Sequence, residues 1–374
     1  MKIKGAVLNK TGAVPPYAAS KPLSIETIDL DPPGPGEVLL KIGAAGICHS
    51  DLSTINGVRP RPTPMLMGHE AAGIVEEVGS GVADLKTGDH VVLTFVPSCG
   101  HCLPCATGRP ALCEPGAAAN GAGTLLSGAR RLRRDGTDVH HHIGCSCFAD
   151  YATVSRRSLV KVDPELPLDI AALFGCAILT GVGAVLNTAR VTPGSSVAVV
   201  GLGGVGLSSV LGAVVAGARQ IVAVDLLPDK LVFARKLGAT DVFHAGDPDC
   251  VQKVREATSG GVEFAFELAG SVKAMELAYK ITGRGGTTVT AGLPPAADTI
   301  PIPQVNLVAE ERTVKGSYIG SCVPARDLPR YVSLYQQGRL PVDRLVTDRL
   351  KLEAINAALD CLHEGKAVRQ VMIF

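Results

Sequence analysis

The sequence has almost no net charge, and it lacks several features that mark whole classes of protein. Its 36 Lys and Arg residues nearly balance 35 Asp and Glu residues, which argues against a surface for nucleic acid or an anionic membrane. Only 19% of the residues are charged and 46% are hydrophobic, so a disordered chain is not expected. No internal repeat is visible. With 374 residues the chain is too long for one ordinary core, and we expect two domains.

Signals for membranes and secretion are also missing. The first ten residues contain no basic stretch followed by an apolar run and a cleavage site, and no apolar run is long enough to span a bilayer without Gly or charge interruptions. We therefore expect a cytoplasmic protein with no membrane partner. In a reducing cytoplasm its 11 cysteines would remain thiols, so a dense cysteine cluster points to a metal site rather than to disulfides.

Four cysteines lie close together in the sequence, at the spacing C-x2-C-x2-C-x7-C. They are Cys99, Cys102, Cys105 and Cys113. Four thiolates complete the tetrahedral shell of Zn²⁺ and leave no open position, so this spacing predicts a structural zinc site. An iron–sulfur cluster of the ferredoxin type also uses C-x2-C-x2-C, but usually with Pro after the last ligand, whereas Glu114 follows here. Unliganded buried cysteines are the remaining alternative.

The pattern of apolar runs changes along the chain. Up to about residue 175, short runs broken by Gly and Pro, such as 37–42 and 90–95, predict strands of a β-rich domain. Short strand patterns then alternate with longer helical ones, which is typical of βαβ units on a parallel sheet. After about residue 318 the first pattern returns and ends in a strand-like run at 368–374. The Gly-, Ala-, Leu- and Arg-rich segment 116–134 is predicted to be a long loop.

A glycine motif of the form G-x-G-x-x-G lies within the second pattern. The loop comprises Gly201, Gly203, Gly204, Val205 and Gly206. It follows a predicted buried strand at 196–200 and opens a predicted helix at 207–216, which is the context of a dinucleotide-binding turn. Asp225 ends the next strand, where a carboxylate accepts hydrogen bonds from ribose hydroxyls and repels a 2′-phosphate, so NAD is favoured over NADP. A glycine-rich turn without a ligand is the alternative.

A second set of soft metal ligands is scattered, and by spacing alone a lone histidine is more often a hydrogen-bonded residue than a ligand. The whole chain, however, resembles the zinc-containing medium-chain alcohol dehydrogenases, in particular the long-loop group that includes liver alcohol dehydrogenase and glutathione-dependent formaldehyde dehydrogenase. The motifs that carry the resemblance are GICHSD at 46–51, GHEAAGIV at 68–75, the four-cysteine run, Gly175-Cys176 and GLGGVG at 201–206.

The resemblance implies a catalytic zinc held by Cys48, His69 and Cys176, the family's established ligand set, in addition to the structural zinc. Three protein ligands leave one position at which zinc activates the alcohol oxygen. Ser50 resembles the hydroxyl that takes the alcohol proton. Asp51 and Glu70 look like carboxylates that orient the zinc ligands.

The resemblance also implies contacts with the coenzyme and the fold. His49 and Arg369 match positions that bind the pyrophosphate, and Lys230 matches one near the adenosine ribose. A GroES-like β-rich catalytic domain would comprise residues 1–176 and 321–374, and a Rossmann domain with a doubly wound parallel sheet would comprise 177–320. The implied cofactors are NAD and two Zn²⁺ per subunit. Long-loop members are usually dimers, and the 116–134 loop therefore favours a homodimer.

Pocket positions suggest a substrate class. Phe95 and Leu293, with Ile319 nearby, match apolar pocket positions and favour medium-chain or aromatic primary alcohols and aldehydes, although apolar residues at strand ends are usually core. Arg59 replaces an acidic residue of the glutathione-dependent branch, and Ala117 replaces its anion-binding arginine, which disfavours S-hydroxymethylglutathione. Arg59 would favour a substrate with an acidic or polar tail, unless it is simply a solvated arginine.

Two further points of comparison with the family concern histidines. Ser53 stands where liver-type enzymes usually end their proton relay on a histidine, so protons would leave through water or with a steeper dependence on pH. The run His140–His142 is predicted to have no metal role, because consecutive strand residues point to opposite faces and the family has similar histidines there. The other cysteines are expected to be buried or free thiols.

These observations predict a zinc- and NAD-dependent alcohol dehydrogenase acting on a small alcohol or aldehyde. One alternative is a thiol-adduct formaldehyde or S-nitrosothiol dehydrogenase that uses a carrier other than glutathione. A second alternative is a nucleotide-binding relative without catalysis, which the complete ligand set disfavours.

Overall fold

The computed structural model describes every residue from Met1 to Phe374. The chain forms two compact units. The first unit comprises Met1–Cys176, Val323–Val332 and Asp343–Phe374, and the second comprises Ala177–Cys322 and Ser333–Val342. None of the helices is both long enough and apolar enough to cross a bilayer.

Eighteen strands and thirteen α-helices make up the two units. The strands are β1 (Lys2–Leu8), β2 (Leu23–Leu30), β3 (Glu37–Ile47), β4 (Met65–Leu66), β5 (Ala71–Val78), β6 (His90–Leu93), β7 (Leu132–Arg134), β8 (Thr137–His141), β9 (Tyr151–Ser155), β10 (Leu159–Lys161), β11 (Ser196–Val200), β12 (Gln220–Asp225), β13 (Asp241–His244), β14 (Val262–Glu267), β15 (Thr282–Thr290), β16 (Thr313–Gly316), β17 (Val346–Leu350) and β18 (Arg369–Ile373). The helices are α1 (Tyr17–Ser20), α2 (His49–Ile55), α3 (Leu103–Ala106), α4 (Glu114–Ala122), α5 (Leu168–Leu173), α6 (Ala177–Gly183), α7 (Gly204–Val215), α8 (Pro228–Lys236), α9 (Cys250–Ala257), α10 (Val272–Ile281), α11 (Gln304–Ala309), α12 (Pro324–Gln336) and α13 (Ile355–His363).

The first unit is built from β-strands. A closed barrel has the order β1-β2-β7-β8-β4, and a sheet has the order β10-β6-β5-β3-β18-β17, with β9 also paired to β3. Alternate residues of β3, such as Val38, Leu40 and Ile42, lie in the main core together with Phe148 and Leu359. Burying each such side chain contributes about 1.5–3 kcal/mol, so the repeated alternation specifies which face of β3 turns inward. The predicted GroES-like β-rich architecture is confirmed.

The second unit contains a six-stranded sheet whose pairings are all parallel, in the order β13-β12-β11-β14-β15-β16. The central strand β11 is buried along its whole length, as expected for a parallel sheet that helices cover on both faces. The strand order reverses between β11 and β14, and ligands of such sheets bind at this switch point. The predicted doubly wound fold is confirmed.

The prediction of a loop over 116–134 is wrong for much of the segment. The helix α4 covers Glu114–Ala122, and β7 begins at Leu132. The helix forms because the sulfur of Cys113 accepts the backbone N–H of Gly116 and a proline occupies the first turn, where its missing N–H has no cost. Gly123 then ends the helix in a left-handed conformation. The segment is therefore only partly a loop, and the homodimer expected from it stays a prediction.

Candidate functional site

Three side chains predicted to hold a metal lie together in the first unit. Cys48 directly precedes α2, His69 lies two residues before β5, and Cys176 ends the first long segment of the unit. All three are buried, and their candidate ligand atoms lie within 4.8 Å of one another. Ligands of a tetrahedral zinc, with Zn–S bonds of about 2.3 Å, are separated by about 3.5–4 Å. The spacing therefore fits one zinc ion.

The ring of His69 has one nitrogen committed and one without a partner. Its Nδ1 lies 2.9 Å from Oδ1 of Asp51, whereas its Nε2 is buried and has no hydrogen-bond partner. A carboxylate accepts a hydrogen bond from Nδ1–H, so the ring takes the tautomer that leaves a lone pair on Nε2. A buried nitrogen of this kind is costly unless a ligand satisfies it. The donor set therefore fits zinc chemically as well as sterically.

Asp51 connects the helix start to the metal ligands. Its carboxylate is fully buried, and Oδ2 accepts the backbone N–H of Cys48 at 2.9 Å, which completes a capping box at the first turn of α2. Burial raises the pKa of Asp51, and the opposing charge of His69 lowers it. One carboxylate thus fixes both the backbone of one ligand and the ring of another.

The two thiols of the cluster influence each other. The neighbouring Cys176 thiol, and then the charge of His69, hold the pKa of Cys48 well below its usual value. The partner thiol and burial hold the pKa of Cys176 well above its usual value. Two thiolates at one buried place repel each other, and a divalent cation is the group that allows both to ionise.

Glu70 and Arg369 form a buried ion pair next to this cluster. Glu70 is fully buried, Arg369 is 3% exposed, and Nη2 of the arginine is in contact with Oε1 of the carboxylate. Burial raises the pKa of Glu70 to about 7, although the guanidinium opposes the shift. The other oxygen, Oε2, is buried and has no partner. Sequence reasoning placed Arg369 near coenzyme phosphate, and the structure shows that Glu70 already engages one side of its guanidinium.

The remaining predicted residues of the first unit surround α2. Phe95 packs edge-on against the His69 ring, with centroids 5.4 Å apart. Ser50 is partly exposed and His49 is exposed on the first turn of the helix. Ser53 donates its hydroxyl to the carbonyl of His49 at 2.9 Å, and Arg59 is half-buried, with its backbone N–H bonded to the Ser53 carbonyl.

His142 is a buried residue of the cluster that sequence reasoning missed. Its Nδ1 lies 3.4 Å from Oδ1 of Asp51, its Nε2 lies 3.5 Å from Oγ1 of Thr54, and its ring packs edge-on against His69. The argument from strand alternation does not apply, because β8 ends at His141. The run of histidines was the only signal in the sequence.

The four cysteines of the C-x2-C-x2-C-x7-C run also converge. Their sulfurs lie within 4.8 Å of one another, and Sγ of Cys99 is 4.0 Å from Sγ of Cys105. Backbone N–H groups point at the sulfurs: Cys102 donates to Cys99 at 3.3 Å, and Cys99 donates to Cys113 at 3.2 Å. The backbone N–H of His101 lowers the pKa of Cys99 to about 6. Amide donors stabilise thiolates, so this set fits a closed zinc site.

The glycine loop of the second unit leaves room for a phosphate group. Gly201 has a φ of +91°, and a Cβ on Gly206 would lie 1.8 Å from the Gly201 carbonyl oxygen, so the loop needs glycine at both positions. A Cβ on Gly203 would meet nothing within 4 Å. The first turn of α7 has no side-chain cap, so its N–H groups remain available to an anion.

Two carboxylates hold this loop and the turn after β14 that packs against Gly201. Asp225 accepts the backbone N–H of Leu202 at 2.7 Å and of Leu227 at 2.9 Å. Glu267, which sequence reasoning missed, is buried at the end of β14 and accepts the N–H groups of Ala269 and Gly270. No local pattern in the sequence identifies Glu267, because its partners are backbone groups of an irregular turn.

The other two predicted residues of the second unit are less enclosed. Lys230 is half-buried on the first turn of α8, and Leu293, three residues after β15, is 52% exposed.

Comparisons with known proteins agree over the whole chain. Residues 34–164 match the family model of the alcohol dehydrogenase GroES-like domain, and residues 204–337 match that of zinc-binding dehydrogenases. A Mycobacterium tuberculosis protein with the provisional name alcohol dehydrogenase D is 42% identical over 368 residues, which are 97% of this chain and 100% of that protein. Alcohol dehydrogenase class-3 of Myxine glutinosa is 40% identical over 99% of both chains.

Solved structures with a similar fold also cover the whole chain. An alcohol dehydrogenase zinc-binding domain protein from Burkholderia ambifaria has a TM-score of 0.94 at 38% identity, covering 100% of this chain and 99% of that one. Benzyl alcohol dehydrogenase from Acinetobacter calcoaceticus has a TM-score of 0.93 at 35% identity, with the same coverage. A protein from Sinorhizobium meliloti with the provisional name zinc-binding dehydrogenase, bound to NADP, has a TM-score of 0.80 at 26% identity over all of both chains.

Proposed function

This chain belongs to the zinc-containing medium-chain alcohol dehydrogenases, and from that premise we propose that it catalyses reversible hydride transfer between a primary alcohol and NAD. The observation that carries the proposal is the buried set of Cys48, His69 and Cys176, in which His69 Nε2 has no partner while Asp51 holds Nδ1. Three protein ligands leave a fourth position for a substrate, whereas the four-cysteine site has none and would be structural.

Zinc and NAD would bring the reactive chemistry, since zinc held by these side chains supplies a Lewis acid that lowers the pKa of an alcohol hydroxyl and NAD accepts the hydride. The chain's own residues would orient the zinc ligands and exclude water from them. Asp51 keeps His69 Nδ1 protonated and Nε2 free to bind metal. Phe95 covers the His69 ring and excludes water from that side.

We assign the proton transfer to the hydroxyl of Ser50. It is partly exposed on the first turn of α2, two residues after Cys48. Ser53, one turn further, does not titrate near neutral pH, and its hydroxyl is bonded to the carbonyl of His49. The proton would therefore leave Ser50 Oγ for water rather than for a second side chain.

We propose that the second unit binds NAD rather than NADP. The uncapped start of α7 and the open space at Gly203 would accept the pyrophosphate, and the charge of Asp225 would repel a 2′-phosphate. His49 and Arg369 would contact the pyrophosphate and Lys230 the adenosine ribose. The guanidinium of Arg369 has five N–H donors, so it can serve Glu70 and a phosphate together.

For the substrate we propose medium-chain or aromatic primary alcohols and their aldehydes. The edge-on aromatic contact of Phe95 at the cluster, and the likeness to a benzyl alcohol dehydrogenase, support this class. Leu293 would contribute a further apolar contact, and Arg59 would favour a polar or acidic tail. The variant Arg59→Ala tests the role of Arg59. If its kcat/KM equals that of the unmodified protein for both neutral and carboxylate-bearing alcohols, Arg59 does not select the tail of the substrate.

We also propose a cytoplasmic homodimer. The reducing cytoplasm keeps six thiol ligands available to zinc. The edge of β16 ends the parallel sheet without a partner strand, and the nearby helix α11 buries none of its side chains and exposes Val305 and Val308. Light scattering on Val308→Glu should show a shift towards monomer, and Val232→Glu, which changes another exposed valine on α8, is the control.

The test of the activity follows NADH formation with aliphatic and benzylic alcohols, with NADP in place of NAD, with added low-molecular-weight thiol, and after chelation. We expect chelator-sensitive turnover with NAD and two zinc ions per chain. The variant Cys48→Ser should lose turnover and one zinc, whereas Cys250→Ser, a buried cysteine outside both clusters, should keep both. Formaldehyde oxidation only with added thiol, or no turnover of any alcohol with two zinc ions bound, would overturn the proposal.

A further inference from the structure

The side chain of His142 is enclosed next to the proposed zinc ligands. It is 1% exposed, and its backbone N–H donates to Oγ of Ser146 at 2.9 Å, which anchors the residue just after β8. The ring stands edge-on to His69, with centroids 5.6 Å apart, and Phe95 stands edge-on to the same ring at 5.4 Å. His69 is therefore held between two aromatic neighbours.

The two ring nitrogens of His142 face groups of different character. Nδ1 lies 3.4 Å from the carboxylate oxygen Oδ1 of Asp51. Nε2 lies 3.5 Å from the hydroxyl of Thr54, which itself donates to the carbonyl of Ser50 at 3.3 Å. A carboxylate can only accept a hydrogen bond, so the neutral tautomer with its proton on Nδ1 is the one that suits the charged neighbour.

Oδ1 of Asp51 is then approached by N–H groups from two histidines. His69 donates at 2.9 Å, a normal hydrogen-bond length, whereas the His142 contact at 3.4 Å is longer and mainly electrostatic. The other oxygen, Oδ2, is occupied by the backbone N–H of Cys48. Removing His142 would leave the inner side of a buried carboxylate without its second N–H neighbour, and the carboxylate would be less firmly oriented.

We propose that His142 is a positioning residue of the catalytic zinc site, which acts on the metal through Asp51 and His69 without touching the metal itself. Together with His69 it fixes the rotamer of the Asp51 carboxylate, and so the direction in which His69 Nε2 presents its lone pair. The inference rests on the proposed function, since it requires zinc at Cys48, His69 and Cys176.

The test measures the release of each zinc from the full-length protein to a chromophoric chelator. His142→Phe keeps the ring against His69 but removes both nitrogens, and His142→Asn restores an N–H near the position of Nδ1. His142 acts on the zinc only through Asp51 and His69, so its effect should be moderate. We expect His142→Phe to speed the release of one zinc about 3- to 10-fold and to leave the release rate of the four-cysteine zinc unchanged. His142→Asn should return the rate towards that of the unmodified protein.

A spectroscopic measurement separates positioning from general loosening. Cobalt(II) in the catalytic site should show a shifted d–d band in His142→Phe, since its energy reports ligand geometry, and an unshifted band in His142→Asn. The control is His141→Gln, a buried neighbour whose Nε2 instead accepts the backbone N–H of Arg131 at 3.1 Å; we expect no change in release rate or spectrum. If His142→Phe does not fold, Thr54→Val removes the Nε2 partner, together with a hydroxyl bond to the Ser50 carbonyl, and should give a smaller change in the same direction.

Several results would overturn the inference: equal release rates in His142→Phe and the unmodified protein, acceleration of both zinc ions, or failure of His142→Asn to restore the rate. A third metal per chain, held by Asp51, His69 and His142 themselves, would also overturn it. Failure of the proposed function is seen separately, because the unmodified protein would then bind only the four-cysteine zinc, or would bind two zinc ions and turn over no alcohol.

Discussion

Replacing Asp51 by Asn should weaken the catalytic zinc site by a magnitude that follows from its hydrogen bonds. The carboxylate accepts two N–H groups at 2.9 Å, one from the Cys48 backbone and one from His69 Nδ1. An asparagine of the same shape has one acceptor oxygen and one NH₂ group, so one of these donors must face another donor. If the NH₂ group faces His69, the ring must move its proton to Nε2, the atom that would bind zinc.

The loss is therefore at least one charge-assisted hydrogen bond at a buried site, about 1.5–3 kcal/mol, which corresponds to about a 10- to 150-fold loss of zinc affinity. This agrees with the usual cost of removing a partner of a metal ligand. Asp51→Asn should bind the catalytic zinc correspondingly more weakly in equilibrium competition with a chelator, while the four-cysteine zinc keeps its affinity.

The matched control is Asp84→Asn, which makes the same chemical change in an exposed carboxylate that pairs with Arg156. Surface ion pairs contribute about 0–1 kcal/mol, and this one is far from any metal ligand in sequence, so zinc affinity should stay unchanged. If Asp51→Asn binds the catalytic zinc within about twofold of the unmodified protein, the carboxylate does not orient His69 and the reasoning is wrong.

Three further predictions concern other parts of the molecule. Asp225→Asn removes the charge that would face a 2′-phosphate and should raise the ratio of kcat/KM for NADP to that for NAD at least about 10-fold, whereas an unchanged ratio would contradict the assigned role. Cys113→Ser opens the four-cysteine site, so metal analysis should find one zinc per chain and calorimetry a lower Tm; retention of two zinc ions would refute a structural site there. Burial lowers the pKa of His141 from 6.5 to about 3, so the unfolded chain binds more protons between these values and stability falls as pH falls through this range. By linkage, this shift lowers the free energy of unfolding by about 2 kcal/mol between pH 7.5 and pH 5. In urea titrations at these two pH values, the free energy of unfolding of His141→Gln should therefore fall by about 2 kcal/mol less than that of the unmodified protein. Equal decreases would show that His141 is not held neutral.

Features that depend on neighbouring residues could be predicted from the sequence alone. The four cysteines lie within 15 residues, so their spacing indicated a zinc site before any fold was considered. The glycine loop and Asp225 belong to one βαβ unit, where strand, turn and helix follow each other directly. The helix α4 was missed although it is local, because its cap is the sulfur of Cys113, an acceptor that capping rules do not anticipate.

The remaining features depend on residues that are far apart in the chain. Cys48, His69 and Cys176 were identified only through the family resemblance, since spacing by itself carried little information. Glu70 and Arg369 are separated by 299 positions, and their contact exists because β18 pairs with β3 next to the start of α2.

The sequence by itself determined the two kinds of unit, the four-cysteine spacing and the glycine loop, because strand and helix periodicity and short ligand spacings act over a few residues. Only the tertiary structure decided that Asp51 accepts hydrogen bonds from two predicted zinc ligands and that Glu70 forms an ion pair with Arg369. It also decided that His142, the first residue after β8, lies next to Asp51. Burial is the physical reason: in a water-free interior each polar group must find a partner, and the fold alone determines which distant residue provides it.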